Sequence, residues 1–303
     1  MYKKQALLIG NVKYAEGDLV PCAKDAKDTA ASLQSIGFQV RVGLDLGNDQ
    51  MKSTIQQFAR SVRPGAVVIF YYSGHGAQFD GKNILLPIDF SDLNCTNAQN
   101  VIQQLHQNRP RAVIVILDCC RTRLNILDEA KRALFFDRRP RLRDGLTPMG
   151  GPPSTIIAYG CAAGESSIAR SNLRNSVYTH HLRPRITTPD VDIETILKYV
   201  AIDVQRDSDN EQLPFIFSNC NEPIYLNSNS WSNSPAWPRA VHFNPVVMMS
   251  DNRRRRKHHA TSNLRPEMTD FSHGFRDYSR IPTNRYPLRN HLWSVAMESP
   301  HRH

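Results

Sequence analysis

Paired cysteines and long apolar runs are scarce in this 303-residue chain, and each scarcity excludes something. The six cysteines (Cys22, Cys95, Cys119, Cys120, Cys161, Cys220) include no CxxC pair and are scattered beside apolar runs. They read as reduced thiols, not as a disulfide scaffold. No apolar stretch approaches the ~18 residues that a membrane helix needs. The apolar start Ala6–Gly10 is interrupted at once by Asn11 and Lys13, unlike a secretory leader. These features predict a cytoplasmic or nuclear protein with no membrane partner.

Charge excludes less than it first suggests. The formal net charge is +10, but Ser228–His303 carries twelve Lys/Arg against five acids, leaving +3 on the first 227 residues. All three Trp and seven Pro also fall in that segment, without periodicity. Residues 228–303 therefore read as a basic, disordered tail. The run Arg253-Arg254-Arg255-Arg256-Lys257 has the composition of a nuclear import signal or an RNA patch. No regular aromatic platform accompanies it, so nucleic acid is not the expected partner.

Before the tail, strand and helix signals alternate. Gln5–Gly10, Phe38–Leu44, Ala66–Tyr72, Ala112–Asp118, Thr155–Cys161 and Pro214–Ser218 read as six strands. Helical spacing follows Pro21, with Ala26, Ala30, Leu33 and Ile36 as its stripe. It recurs after a cap at Asn48 or Asp49, over Ala98–Gln107, and over Asp190–Arg206 with Asp190 or Asp192 as cap. Gln78–Pro87, centred on Asp80-Gly81, reads as a hairpin, and Pro223–Asn227 as a short edge strand. The rhythm predicts a mostly parallel sheet with helices on both faces, whose site lies at the carboxyl ends of the strands.

Two of those ends carry chemistry. Ser73-Gly74-His75-Gly76 follows the third strand and Asp118-Cys119-Cys120-Arg121 follows the fourth, with 45 residues from His75 to Cys120. Flanking glycines predict an unshielded imidazole and a Gly76 amide able to face the same cavity. A thiol, a base and two amide donors are the parts that acyl transfer needs. Each residue alone is weak, since a cysteine beside a strand is more often a small buried hydrophobe. Cys119 competes with Cys120 as nucleophile, but neighbours on an extended strand point to opposite faces, so only one reaches His75.

Tyr71-Tyr72-Ser73-Gly74-His75-Gly76 and Ile116-Leu117-Asp118-Cys119-Cys120-Arg121 resemble the two active-site segments of the caspase, metacaspase and paracaspase clan. In caspases the histidine likewise lies about 50 residues upstream of the cysteine. The resemblance runs from about Gln5 to Asn227, and is greatest to paracaspases. It implies a caspase-like three-layer α/β sandwich with a six-stranded, mostly parallel sheet. Residues 1–227 would be the peptidase domain: 1–121 large-subunit-like, 122–153 a linker loop, 154–227 small-subunit-like.

The same resemblance implies the roles. His75 would be the general base and Cys120 the nucleophile, with the amides of Gly76 and Cys120 holding the oxyanion. Asp25 and Asp118 match the acids that bind Arg or Lys before the cut, and Glu165 is a candidate third acid. On residues alone, Asp25 is equally a solvated first-turn acid that favours the helix dipole. The expected substrate is a protein or peptide with a basic residue before the cut. Further expectations are autocleavage within Arg132–Arg143 and a homodimer formed through the small-subunit edge strand. No cofactor or metal is expected: amides (Asn97, Gln99, Asn100) stand where metacaspases often carry a calcium site. A catalytically silent interaction module of the same fold is the alternative, and a Cys119-Cys120-His75 metal or redox site fits zinc geometry poorly. Deleting residues 228–303 is expected to leave peptide cleavage intact, as an assay on the truncated chain would check.

Overall fold

The computed structural model describes residues 3–15, 17–79, 82–90, 95–120, 146, 149–161 and 174–228, with the backbone alone at 78, 79 and 120. The basic tail, the loop Arg132–Arg143, Glu165 and the turn Asp80-Gly81 lie outside the described residues. Contacts divide the chain into units 1–239 and 240–303, and every described residue belongs to the first.

The elements follow in the order β1 (Lys4–Gly10), β2 (Lys13–Tyr14), β3 (Gly17–Asp18), α1 (Pro21–Ser35), β4 (Gln39–Leu44), α2 (Asn48–Ser61) and β5 (Val67–Phe79). Then come β6 (Lys82–Leu85), β7 (Thr96–Asn97), α3 (Ala98–His106), β8 (Ala112–Cys120), β9 (Thr155–Tyr159), α4 (Val177–Arg185), α5 (Ile193–Asp207) and β10 (Phe215–Ser218). Six strands run across the main sheet in the order β10-β9-β8-β5-β1-β4. Pairing is parallel from β4 through β9, and only β10 is antiparallel. This is the sheet that the alternating pattern predicts.

Composition explains the layering. Central strands of a parallel sheet are covered on both faces and so read as unbroken apolar runs. In β1, Leu7 and Ile9 pack with α2 and α3 through Met51, Ile55, Phe58, Val101 and Ile102. Their neighbours Ala6 and Leu8 pack on the other face with Ala26, Ala30 and Leu33 of α1 and the apolar stripes of α4 and α5. Each fully buried Leu, Ile or Phe stabilises by about 1.5–3 kcal/mol. The chain passes from β1 to β4 on one side and then to β5 on the other, which creates a switch point between β1 and β5. The amino end of α1 sits there, drawn close by Gly10: a Cβ at that position would lie 2.4 Å from the Cys22 carbonyl oxygen.

Two local expectations shift, and one helix was not foreseen. The start of α2 is capped by Gly47, not Asn48 or Asp49, and the Asn48 amide donates to Asp89 Oδ1 at 2.7 Å. Between Pro223 and Asn227 only a single bridge, Asp192 to Tyr225, forms. Helix α4 lacked a clear sequence signature, since Pro184 sits near its end and His180-His181 interrupts its apolar stripe. Elsewhere Asp192, not Asp190, caps α5 and accepts from the Thr195 amide at 3.1 Å. Among the described residues no helix is long and apolar enough to cross a membrane.

Gly10→Ala is expected to push α1 off the sheet and destabilise the fold by about 1–3 kcal/mol, the usual range for overpacking. Urea unfolding of the variant checks this.

Candidate active site

The carboxyl ends of β5 and β8 are adjacent, and their parallel register pairs Tyr71 with Ile116, Ser73 with Asp118, Gly74 with Cys119 and His75 with Cys120. Neighbouring strands are about 4.8 Å apart, so the backbones of His75 and Cys120 meet side by side. Alternation puts position 119 on the opposite face from 120. Cys119 is 2% exposed and packs with Leu117, Tyr159 and Leu146 in the core on the α2–α3 side. A Cβ at Gly76 would stand 3.1 Å from the Cys119 Cβ. Cys119 is thus a packing residue, and Cys120 is the register partner of the histidine.

His75 is not the unshielded imidazole that its flanking glycines suggest. It is 5% exposed, and the Tyr14 ring lies 4.3 Å from its own, centroid to centroid, at 54°. Burial lowers its pKa from 6.5 to about 4, because the charged form loses its hydration. The imidazole is therefore neutral at pH 7 and can accept a proton. Gly74 has a different function from the one expected: its side-chain space is taken by two hydroxyls, and a Cβ there would lie 2.6 Å from Tyr72 Oη and 2.7 Å from Tyr14 Oη. Gly76 continues into the β5–β6 ladder opposite Leu85.

Two residues up the same strands lies an acid pair. Asp25 of α1 and Asp118 of β8 are 0% and 2% exposed, which rules out the solvated reading of Asp25. Asp25 Oδ1 accepts from Asn175 Nδ2 at 2.8 Å and from the Ser176 amide at 3.1 Å, and its Oδ2 accepts from Ser73 Oγ at 3.4 Å. Asp118 Oδ2 accepts from Ser176 Oγ, from Thr179 Oγ1 at 2.8 Å and from Tyr71 Oη at 3.4 Å. Burial, and then the neighbouring Asp118 charge, raise the Asp25 pKa from 3.8 to about 8. Asp25 therefore keeps its proton near neutral pH.

Asn175, Ser176, Thr179 and Tyr14 were missed by sequence reasoning. Ser176 left one trace: a serine before Val177-Tyr178 has the chemistry of a helix cap, and the Thr179 amide donates to its Oγ at 3.0 Å. Tyr14 left none. Among the described residues no cluster of His, Cys, Asp and Glu could hold a metal ion.

A parallel sheet between helical layers, with histidine and cysteine in register at adjacent strand ends, defines the caspase-like class of α/β sandwich. Comparison with known proteins agrees. The family model of the caspase domain matches residues 3–225, and the chain belongs to that family. The human mucosa-associated lymphoid tissue lymphoma translocation protein 1 is 27% identical over 210 residues, covering 67% of this chain and 24% of that protein. Metacaspase-2 of Trypanosoma brucei brucei is 24% identical over 195 residues, covering 54% of this chain and 55% of its own. The chain thus spans about a quarter to a half of the length of these relatives. Crystallised caspase-1 from Spodoptera frugiperda superposes with a TM-score of 0.55 at 18% identity, over 77% of this chain and 92% of its own.

The acid pair predicts a pH-dependent cost. In the unfolded chain Asp25 ionises near 3.8, whereas folded it holds its proton to about 8, so its contribution to stability falls as pH rises through that window. Asp25→Asn removes the cost while keeping an acceptor for Asn175 and Ser176. Its unfolding midpoint is expected to exceed that of the parent chain at pH 8, the gap closing towards pH 4. Comparison at each pH cancels His75, whose depressed pKa makes stability fall as pH drops from 6.5 to about 4.

Proposed function

We propose that the protein is a cysteine endopeptidase that cuts on the carboxyl side of Arg or Lys. The observation that carries this reading is the β5–β8 register, which sets His75 beside Cys120 with the Ser73–Asp118 step two residues earlier. Two strand residues span about 6.6 Å, comparable to the reach of an extended Arg or Lys side chain. A basic side chain entering from the reaction centre would therefore end at Asp25 and Asp118. Charge-assisted, bidentate hydrogen bonding suits a guanidinium to a carboxylate pair, and its arrival displaces the proton on Asp25.

The reaction is acyl transfer. Neutral His75 takes the proton of the Cys120 thiol, and the thiolate attacks the carbonyl carbon after the basic residue. The amides of Gly76 and Cys120 hold the oxygen as it gains charge. When the C–N bond breaks, the leaving amine takes the proton from His75. His75 then deprotonates a water that attacks the thioester, which releases the acid and restores the thiol. No cofactor takes part. A second copy of the chain is the partner we assign to β10, which lies at the sheet edge with Phe215 42% exposed.

Peptides ending in Arg, Lys or Asp before a fluorophore test the proposal. Cys120→Ala is expected to abolish all release, and Cys119→Ala to leave cleavage in place. Asp25→Ala should lose the Arg and Lys substrates selectively. Absence of Cys120-dependent release, even when dimerisation is forced, would refute the peptidase reading.

A further inference from the structure

The backbone of the histidine is held in an unusual way. Tyr14, from the short β2–β3 hairpin, is 4% exposed, and its hydroxyl accepts the His75 amide hydrogen at 3.0 Å. The same hydroxyl donates to the Leu86 carbonyl at 3.1 Å and lies 3.3 Å from the Tyr72 hydroxyl. Tyr72 Oη reaches the His75 carbonyl and the Leu86 carbonyl, each at 2.8 Å. The Leu86 amide also donates to the His75 carbonyl, at 3.0 Å. Both polar groups of the His75 backbone are thus tied to tyrosine hydroxyls, in the space that Gly74 leaves empty. The Tyr14 ring also covers the imidazole.

We infer that Tyr14 is a positioning residue for the general base, its hydroxyl fixing the His75 backbone and its ring fixing and drying the imidazole. The inference rests on the peptidase reading for its catalytic consequence. The two contacts do different things. Losing the hydroxyl leaves the His75 amide without its acceptor and frees the backbone that aims the ring at position 120. Losing the ring admits water to the imidazole. Among the described residues, the titratable groups near His75 include Tyr14 and Tyr72, both kept protonated by burial, the buried Cys22 and Cys119 that act on these tyrosines, position 120 opposite on β8, and the Asp25–Asp118 pair two residues back along the strands. Dehydration on burial is the physical cause of the lowered imidazole pKa.

Two variants separate the contacts. Tyr14→Phe keeps the ring and deletes the hydroxyl; Tyr14→Leu deletes both. Steady-state cleavage of an Arg peptide is measured alongside titration of the His75 Cε1–H by NMR, assigned with His75→Gln, and the NMR dispersion reports folding. For Tyr14→Phe, kcat is expected to fall roughly 10- to 100-fold with KM within about twofold, as misaligned bases do. Its His75 titration should stay where it is in the parent chain. For Tyr14→Leu, the titration is expected to move from about 4 towards the ordinary 6.5. A folded Tyr14→Phe with the kcat of the parent chain overturns the inference, as does a Tyr14→Leu whose His75 titrates unchanged. A parent chain that shows no Cys120-dependent cleavage overturns the peptidase reading and the catalytic role of Tyr14 with it, whatever the titration shows.

Discussion

The register between β5 and β8 is the constraint on which the site depends. Parallel strands exchange hydrogen bonds at a fixed step, so pairing Val67 with Ala112 at one end leaves His75 opposite Cys120 at the other. The first six paired positions, Val67 to Tyr72 against Ala112 to Leu117, are apolar and buried, and a slip of one residue would turn each apolar set to the wrong core. The hydrophobic effect along the strand thus decides which of two adjacent cysteines shares the register position of His75. Cys119 and Cys120 have the same chemistry; alternation alone sends Cys119 into the core beneath Gly76, while register sets Cys120 opposite the histidine.

Much of this was legible because it is written in period and composition. Runs such as Ala66–Tyr72 and Ala112–Leu117 are too uniformly apolar for anything but central strands, and GHG and DCCR stand where those runs end. Asp25 was legible as a residue but not as an environment. Its place on α1 follows from helical spacing, whereas its complete burial depends on Gly10 letting α1 close on β1 and on Asn175 and Ser176 arriving from 150 residues away. Sequence patterns carry neighbours three or four residues apart, not contacts of that range. Tyr14 is the clearest case: a lone tyrosine in a two-residue strand has no period to betray it. Gly74 was read as baring the imidazole, whereas the space it leaves is taken by the hydroxyls of Tyr72 and Tyr14.

The site also opposes the stability of its own fold. Two carboxyls in one dry pocket and an imidazole stripped of water are each held in a form that solvent would not choose. Burial of this kind is typical where charge is kept ready for a specific reaction or ligand. Hydrogen bonds from Ser73, Asn175, Ser176, Thr179 and Tyr71 to the two carboxyls offset part of it.

Ser176 takes part in two structures with a single side chain and one amide. It opens α4 through the Thr179 amide, and it also bridges the acids, its amide on Asp25 and its hydroxyl on Asp118. Helix nucleation and pocket geometry are therefore mechanically geared. Any force that unwinds the first turn of α4 spreads the two carboxylates in the same movement, and whatever clasps them from within tightens that turn.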